Sequence, residues 1–370
     1  MQYHRIVAKF GTSLLTAGSD RLDLESMSRL VGQVVRLRAR GCEVVVVSSG
    51  AQAAGRHRLG RRLHGQGHAP SRQAVASVGQ SHLMQSWDEL FDWHDTVVAQ
   101  VLLTRRDLAD RLGYLNARNT LRDLLEADTV PIVNENDAVA LDESLASRIG
   151  ENDSLSALVA NLIDADLLVI LTDVAGLYER DPRTDPTAQL IRRIEHIDES
   201  FDAMAGGGHG PGTGGMVTKL RAARVATQSG VDVVIANGRE DDILLSISDG
   251  KPEGTLLAAA SDRLESRKRW ILGNVARGGF IVVDSGAAAA LRAHGRSLLP
   301  AGIARVEGVF ERGDSIEIRD PDGRRVAAGT ANYSSDELVR ISGLHSDQIA
   351  GALGYAYGDE AVHRDNMILL

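Results

Sequence analysis

The sequence contains very little cysteine and no long apolar run. Cys42 is the only cysteine in 370 residues, which excludes an intramolecular disulfide and fits a reducing compartment. The longest apolar runs, such as residues 167–171, have the length of a strand, whereas a membrane helix needs about 20 residues. No signal peptide is visible. The sequence therefore predicts a cytoplasmic protein with no membrane span.

The chain also has fewer basic residues than acidic ones, 41 against 50. The formal net charge is −9, which argues against a nucleic-acid binder that relies on bulk electrostatics. The apolar fraction of 43% and the charged fraction of 25% are those of a globular protein with a substantial core. A chain of 370 residues is more consistent with two domains than with one.

Lysine is rare, and its positions are informative. Only Lys9, Lys219, Lys251 and Lys268 are lysines, whereas the other 37 basic residues are arginines. A compact ammonium charge is chemically distinct from a guanidinium group. Lys9 and Lys219 both lie among glycine, serine and threonine residues, so we expect them to have a function.

Several common catalytic motifs are absent. The sequence has no G-x-x-x-x-G-K-[ST] phosphate loop, no protein-kinase catalytic-loop or D-F-G signature, and no G-x-S-x-G. Residues 210–215 match G-x-G-x-x-G, but no predicted strand precedes them, so a dinucleotide site is not expected. His57, His64 and His68 lie in a stretch rich in glycine and arginine without a matching acid or cysteine. No metal site is therefore predicted.

Hydrophobic patterning predicts a doubly wound α/β domain followed by a smaller β-rich domain. Apolar runs alternate with amphipathic helical patterns, as expected for a mostly parallel sheet with helices on both faces. We expect this domain to span residues 1–260, with a linker at 261–276, a mostly β domain at 277–358 and a tail at 359–370. The predicted strands are residues 6–10, 44–48, 96–103, 130–133, 167–172 and 231–236, then 280–283, 303–310, 315–319 and 325–328. The predicted helices are residues 24–40, 73–91, 116–126, 153–163, 216–229 and 287–293.

Two clusters of acids and amides flank one polar loop. The first contains Asn134 and Asp137 at the end of an apolar strand, and the second contains Glu151, Asn152 and Asp153 at the start of a helix. Ligands bind at the carboxyl edge of open α/β sheets, and acids with amides suit an ammonium group or a metal ion. The alternative is that these residues only cap helices and form turns. Two clusters in one strand–loop–helix unit favour a binding site.

Four further turns are rich in small polar residues. They comprise residues 9–13, 48–51, 172–173 and 212–219, each of which follows a predicted strand or opens a predicted helix. Backbone N–H groups and hydroxyls in such turns can hold an anion. Together with Lys9 and Lys219, they form the kind of site that phosphoryl transfer needs, where positioning and charge neutralisation provide most of the catalysis.

The order of these motifs resembles the glutamate 5-kinases of the amino acid kinase family. The resemblance covers essentially the whole chain, and its C-terminal part is similar to a PUA domain. The segments that carry it are residues 7–13, 48–51, 99–104, 114–120, 134–137, 155–158, 171–173, 176–178 and 212–219, with 355–358 and 362–365 in the C-terminal part.

The resemblance implies ATP-dependent phosphorylation of the γ-carboxylate of L-glutamate, the first step of proline biosynthesis. Lys9, Lys219 and Asp153 match the catalytic positions, where Asp153 holds both ammonium groups, and Mg2+ is carried on the ATP phosphates. The acceptor-binding positions are Ser49, Gly50, Asn134, Asp137, Glu151 and Asn152. The nucleotide-binding positions are Lys9, Gly11, Thr12, Thr172, Asp173, Thr213, Gly214, Gly215, Met216 and Lys219.

The sequence departs from this family at three places. Glu151 stands where aspartate is usual, residues 138–149 form a longer loop, and Phe10 and Gln52 replace aliphatic residues. The first two departures lie in the acceptor loop. We therefore expect them to affect acceptor geometry and inhibitor sensitivity more than the reaction itself.

The resemblance also implies partners and leaves two alternatives. Proline is expected as a feedback inhibitor, the chain as a homo-oligomer (dimer or tetramer), and glutamate-5-semialdehyde dehydrogenase as a coupled enzyme. One alternative is a kinase of the same fold that acts on N-acetylglutamate, aspartate or a nucleoside monophosphate. The other is an RNA-binding regulator, which the net charge of −3 over residues 277–370 does not support.

Overall fold

A computed structural model describes most of the chain, which divides into two compact units. The described residues are 3–60, 70–140, 151–182, 184–198, 201, 215–251, 253–260, 275–294 and 296–370. The first unit comprises residues 1–109 and 117–263, and the second comprises residues 110–116 and 264–370. Within the described ranges, no helix is long and apolar enough to cross a membrane.

The first unit is built on an eight-stranded sheet with helices between the strands. Its strands are β1 (Arg5–Phe10), β2 (Glu43–Ser48), β3 (Val98–Leu103), β4 (Val130–Glu135), β5 (Leu167–Thr172), β6 (Arg193–Ile194), β7 (Asp232–Asn237) and β8 (Thr255–Leu257). The helices before residue 263 are α1 (Thr12–Leu15), α2 (Leu24–Ala39), α3 (Ala51–Leu59), α4 (Arg72–Asp92), α5 (Arg105–Ala109), α6 (Arg111–Glu126), α7 (Glu151–Leu162), α8 (Met216–Gln228) and α9 (Ile243–Ser248). The predicted doubly wound, mostly parallel sheet is confirmed.

Strand β1 lies in the middle of the sheet, between β2 and β5. The strand order is β3-β4-β2-β1-β5-β7-β8-β6. Among the described strand pairs of this sheet, β7 with β8 is the antiparallel one, and β6 runs parallel to β8. The chain leaves β1 towards β2 and β4, then crosses to β5 on the other side of β1. The carboxyl ends of β1, β2, β4, β5 and β7 therefore lie at the same edge, around a topological switch point where ligands bind in such sheets.

The central strands are buried because both faces of the sheet are covered. Every residue of β4 and β5 is buried, as are all residues of β2 after its first. In these strands, runs of valine, leucine and isoleucine place apolar side chains on both buried faces of the sheet. This is the usual composition of a parallel strand. Cys42, just before β2, is also buried, and burial raises the pKa of its thiol, as expected for an unreactive cysteine.

Several element boundaries before residue 263 differ by a few residues from the sequence-based ones, including the end of β4 and the start of α7. Strand β3 begins at Val98 rather than at residue 96, because the Thr96 N–H donates to the Phe91 carbonyl in the turn that ends α4. Helix α6 begins at Arg111 rather than at residue 116. The short strands β6 and β8 were not predicted, since two or three residues carry too little periodicity.

The second unit is mostly β, as predicted, and contains a five-stranded sheet. Its strands are β9 (Val275–Val283), β10 (Ile303–Glu307), β11 (Ser315–Arg319), β12 (Arg325–Thr330) and β13 (Met367–Leu369), in the order β10-β9-β11-β12-β13. Its helices are α10 (Ser285–His294), α11 (Ser335–Ile341) and α12 (Ile349–Leu353). Strand β10 ends at Glu307 rather than at residue 310.

Three elements of the second unit lie where the sequence predicted none. Helices α11 and α12 occupy a region expected to contain only β structure. Strand β13 lies within residues 359–370, for which a tail was expected, and it pairs antiparallel with β12 from Ala327 to Gly329. The last residues of the chain thus extend the sheet, because their apolar side chains Met367 and Ile368 are buried there.

A close crossing of α3 and α4 depends on two glycines. A Cβ atom at Gly79 would overlap the carbonyl oxygen of Ala51 and the backbone nitrogen of Gly55. A Cβ atom at Gly55 would overlap the carbonyl oxygen of Val75. The two backbones therefore approach to a distance that only glycine permits. This contact holds α4 against α3, which begins directly after β2.

We predict that Gly79→Ala lowers the free energy of unfolding by about 1–3 kcal/mol or more, because the new methyl group must displace backbone atoms. The matched control is Gly32→Ala on α2, where a Cβ atom meets nothing within 4 Å. That control should raise stability by up to about 1 kcal/mol through helix propensity. Urea denaturation of the two variants checks the prediction, and equal effects would contradict the close-crossing interpretation.

Candidate active site

The candidate residues that the structure describes lie at the carboxyl edge of the first sheet or in the turns beyond it. Lys9 is near the end of β1, Ser49 follows β2, and Asn134 is near the end of β4. Thr172 ends β5, and Lys219 is in the first turn of α8. Parallel register aligns these ends, since Phe10 pairs with Ser48 on one side and with Leu171 on the other.

A buried carboxylate lies between the two lysines that the sequence singled out. Asp153, in the first turn of α7, is 1% exposed, and its Oδ1 lies 2.5 Å from Lys9 Nζ. Its Oδ2 lies 3.3 Å from Lys219 Nζ and accepts a hydrogen bond of 2.7 Å from Thr218 Oγ1. Lys9 and Lys219 are themselves 6% and 5% exposed. Asp153 therefore joins β1 to the start of α8.

Opposite charge decides the protonation state of Asp153. Burial alone raises the pKa of this carboxyl, but the charges of Lys9 and Lys219 and the hydrogen bonds from Lys9 and Thr218 outweigh burial and lower the pKa to about 2. Burial lowers the pKa of the Lys219 ammonium, Lys9 lowers it further, and Asp153 opposes both. The three groups carry a net charge of +1 when all are ionised, which favours an anionic ligand beside them.

Thr218 fixes the geometry of this charge cluster. Its hydroxyl contacts both Asp153 Oδ2 and the Gly215 carbonyl, at 2.7 and 2.8 Å, so it links the carboxylate to the turn that opens α8. Thr218 lies within the turn of residues 212–219 that the sequence singled out, but no role of its own was predicted for it. The available signal was its position directly before a rare lysine in the first turn of a predicted helix.

Amide groups form a second, adjacent cluster on the β2–β4 side of the edge. Asn152 Nδ2 donates to the Ser48 carbonyl, to Ser49 Oγ and to Asn134 Oδ1, at 3.1, 3.1 and 3.2 Å. Asn134 is 2% exposed, and its Oδ1 also accepts from the Glu135 N–H at 2.9 Å. Ser49, Asn134 and Asn152, predicted from separate segments, are therefore in direct contact.

Asp137 lies beyond the end of β4 and is partly buried. Burial raises the pKa of its carboxyl, while a hydrogen bond from Gln52 and the charge of Arg72 act in the opposite direction. Gln52 Oε1 in turn accepts from Arg72 at 3.3 Å. Gln52, one of the departures noted above, thus connects Asp137 to the start of α4. The loop that follows is described only as far as residue 140.

The predicted nucleotide-binding residues lie mainly on the β1, β5 and α8 side. A Cβ atom at Gly11 would lie 3.8 Å from Lys9 Nζ, so the Gly11 backbone borders the charge cluster. Thr172 donates to Asp173 at 3.1 Å, and the charge of Asp173 acts on Lys219. Thr12 begins α1, and Met216 begins α8 directly after its N-cap residue Gly215. Gly50, which was predicted to bind the acceptor, has a φ of 100° before α3.

Some predicted residues cannot be placed. Thr213, Gly214, His64 and His68 lie outside the described residues, as does the side chain of Glu151, whose backbone begins α7. The described site nevertheless separates into two parts. A cationic part formed by Lys9 and Lys219 suits phosphate groups, and an amide part formed by Ser49, Asn134 and Asn152 suits a small polar ligand.

Comparison with known proteins identifies the class. The sequence profile of the amino acid kinase family matches residues 4–237, and that of the PUA domain matches residues 279–353. The first match covers more than half of the chain. The chain therefore belongs to the amino acid kinase family, and its C-terminal part matches the PUA domain.

The relatives that align with nearly the whole chain include several glutamate 5-kinases. The chain is 49% identical over 369 residues to the glutamate 5-kinase of Dehalococcoides mccartyi strain CBDB1, an alignment that covers 100% of this chain and 99% of the relative. It is 51% identical to the glutamate 5-kinase of Herpetosiphon aurantiacus, with 98% of each chain covered. For the glutamate 5-kinase of Shewanella amazonensis the identity is 50%, with 100% and 96% covered.

A solved structure supports the fold assignment. The UMP kinase from Bacillus anthracis aligns with a TM-score of 0.50 at 14% identity, covering 70% of this chain and 98% of that one. At this identity the likeness shows the fold alone. It is consistent with the parallel sheet order described above.

We predict that Asp153→Asn lowers the free energy of unfolding at pH 7 by about 3–5 kcal/mol, because it removes the buried carboxylate that both buried ammonium groups contact. The folded-state pKa of about 2 lies below the unfolded value of about 3.9. The contribution of Asp153 is therefore complete above about pH 4 and is lost as the pH falls towards 2. The difference between wild type and variant should shrink over that range in urea denaturation.

The control for this prediction is Asp241→Asn, at a carboxylate whose side chain is 96% exposed and pairs only loosely with Arg29 at 3.7 Å. Its effect should stay within about 0.5 kcal/mol at every pH. A difference for Asp153→Asn that does not change between pH 7 and pH 2 would show that the carboxylate is not held ionised by the lysines.

Proposed function

We propose that this protein transfers the γ-phosphoryl group of ATP to the γ-carboxylate of L-glutamate and forms L-glutamyl 5-phosphate, the first step of proline biosynthesis. The observation that carries the proposal is the pairing of Lys9 and Lys219 through Asp153 at the switch point of the sheet. The names of the full-length relatives, at about half identity over the whole chain, support the choice of acceptor.

The lysine pair suits the charge that develops during the transfer. A γ-carboxylate oxygen of glutamate attacks the γ-phosphorus in line, and the bond between that phosphorus and the β,γ-bridging oxygen breaks to release ADP. Lys9 and Lys219 neutralise the charge on the transferring group and on ADP. Because Asp153 holds both ammonium groups before ATP binds, little reorganisation is needed at the moment of transfer. No covalent enzyme intermediate is required.

The proposal includes Mg2+ bound to the ATP phosphates. Asp153 does not suit the role of a metal ligand, because Lys9, Lys219 and Thr218 already contact its two oxygens. Mg2+ commonly keeps several waters and binds through substrate phosphates with few protein carboxylates. When bound, the ion would offset part of the phosphate charge, and we assign it no protein ligand.

The amide cluster is proposed as the binding site of the acceptor. Its members are Ser49, Gly50, Asn134, Asp137, Glu151 and Asn152. Hydroxyl and backbone N–H groups after β2 suit a carboxylate of glutamate, whereas Asp137 and the oxygen of Asn152 suit its ammonium group. The nucleotide-binding set is proposed to comprise Gly11, Thr12, Thr172, Asp173, Thr213, Gly214, Gly215 and Met216 together with both lysines.

We further propose inhibition by proline at the glutamate site, a homo-oligomeric state, functional coupling to glutamate-5-semialdehyde dehydrogenase and a cytoplasmic location. These proposals are supported by the resemblance to the glutamate 5-kinases. For the PUA domain we propose a regulatory or interaction role, because the net charge of −3 over residues 277–370 does not suit a phosphate-binding surface.

A coupled assay of ADP release tests the acceptor directly. We expect turnover with L-glutamate and at most slow turnover with N-acetylglutamate, aspartate or UMP at the same concentration. N-acetylation removes the positive charge that Asp137 is proposed to bind. Absence of glutamate-dependent ADP release, or faster turnover with another acceptor, would refute the proposal.

We predict that Lys219→Ala lowers kcat by about 100- to 1,000-fold and changes the glutamate KM little, because its charge acts mainly in the transition state. The matched control is Lys251→Ala, at an exposed lysine in a turn, which should leave both constants within about twofold. Steady-state kinetics with each substrate varied in turn, at a saturating concentration of the other, check the prediction. An unchanged kcat with raised KM values for both substrates would assign Lys219 to binding alone.

A further inference from the structure

Helix α4 contributes two polar side chains to the acceptor side of the edge, and neither was singled out from the sequence as part of the site. Gln80 and Trp87 are seven residues apart, which places them on the same face two turns from each other. Trp87 is fully buried, and its Nε1 donates to Ser48 Oγ at 3.0 Å. Gln80 Oε1 accepts from Asn134 Nδ2 at 2.7 Å. Together they contact the ends of β2 and β4.

The backbone determines which way the amide of Asn134 points. The Glu135 N–H is only a donor, so the Asn134 atom 2.9 Å away from it must be the oxygen. The nitrogen therefore faces Gln80, and the Gln80 atom 2.7 Å from it must in turn be an oxygen. Asn134 is 2% exposed, so without Gln80 this nitrogen would be a buried donor with no acceptor.

The backbone also determines the orientation of Asn152. The Ser48 carbonyl is only an acceptor, so the Asn152 atom at 3.1 Å must be nitrogen. Asn134 Oδ1 and Ser49 Oγ accept from the same nitrogen. Asn152 Oδ1 is then directed away from these groups, and it is buried with no hydrogen-bond partner among the described residues. A buried oxygen without such a partner can accept a hydrogen bond from a donor group on a ligand.

We infer that Gln80 is a positioning residue that fixes the orientation of the amide groups of Asn134 and Asn152 in the acceptor site. By accepting from Asn134, it holds the Asn134 oxygen towards Asn152, and Asn152 consequently presents its own oxygen to the ammonium group of the substrate. This inference rests on the proposed function, because it takes glutamate as the acceptor. If either amide rotated, an NH2 group would face the ammonium, and two donors would oppose each other.

The test compares three variants with wild type. Gln80→Met has a similar length but no acceptor, and Gln80→Glu keeps an acceptor for Asn134 Nδ2. Gln85→Met changes an exposed glutamine on the same helix, whose Nε2 donates to Glu89 on that helix at 2.8 Å. Glutamate KM, ATP KM and kcat are measured. The inhibition constant of glutarate against glutamate is measured as well, since glutarate is glutamate without its ammonium group.

For Gln80→Met we expect the glutamate KM to rise about tenfold, while kcat and the ATP KM stay within about twofold. The glutarate inhibition constant should stay within about twofold, since the effect acts through the ammonium group. Gln80→Glu should restore most of the affinity for glutamate, and Gln85→Met should match wild type. Thermal unfolding of each variant checks that the fold is kept, and Gln80→Ala removes the same acceptor if Met is not accommodated.

An equal rise for glutamate and glutarate would overturn the inference, because it would show that Gln80 only supports the shape of the site. An unchanged glutamate KM in Gln80→Met would overturn it as well. Both outcomes differ from failure of the proposed function, in which wild type itself shows no glutamate-dependent release of ADP.

Discussion

The site depends on one buried carboxylate between two ammonium groups. Asp153 is 1% exposed, and removing three charged groups from water is costly, so the cluster is not explained as a device for stability. It is explained if the lysines must be held close together, charged and shielded from water before an anionic substrate arrives. The sheet meets this requirement because β1 lies at its switch point, with the crossing segment that contains α7 passing over it.

Much of the first domain could be predicted because its strands are buried on both faces and its helices are long. Residues 44–47 are four valines in succession, a pattern that tertiary contacts do not override. The second domain was harder. Helix α11 is short, although its capping box of Ser334 and Glu337 is visible in the sequence, and β13 has only three residues. The register of β13 comes from pairing with β12, which is distant in sequence.

The site residues were predictable to different degrees for physical reasons. Lys9 and Lys219 could be recognised because lysine is so rare in this chain. Asp153 belonged to an acid and amide cluster at the start of a predicted helix, and its role of holding both lysines followed from the resemblance. Gln80 could not be recognised, because a single polar residue in a helical pattern is usually solvated. Its contact with Asn134 spans 54 positions along the chain. The face it shares with the buried Ala76, Leu83 and Trp87 was the only signal.

The start of α7 connects the two parts of the site. Asn152 and Asp153 are consecutive, and consecutive side chains on a helix diverge by about 100°. Asn152 therefore reaches the ends of β2 and β4, whereas Asp153 reaches β1 and α8. One helical turn thus holds the residue that is proposed to bind the ammonium group of glutamate next to the carboxylate that contacts both lysines. A shift of this turn would misalign both parts together, so the amides that anchor Asn152 and the lysines that anchor Asp153 act on the same geometry.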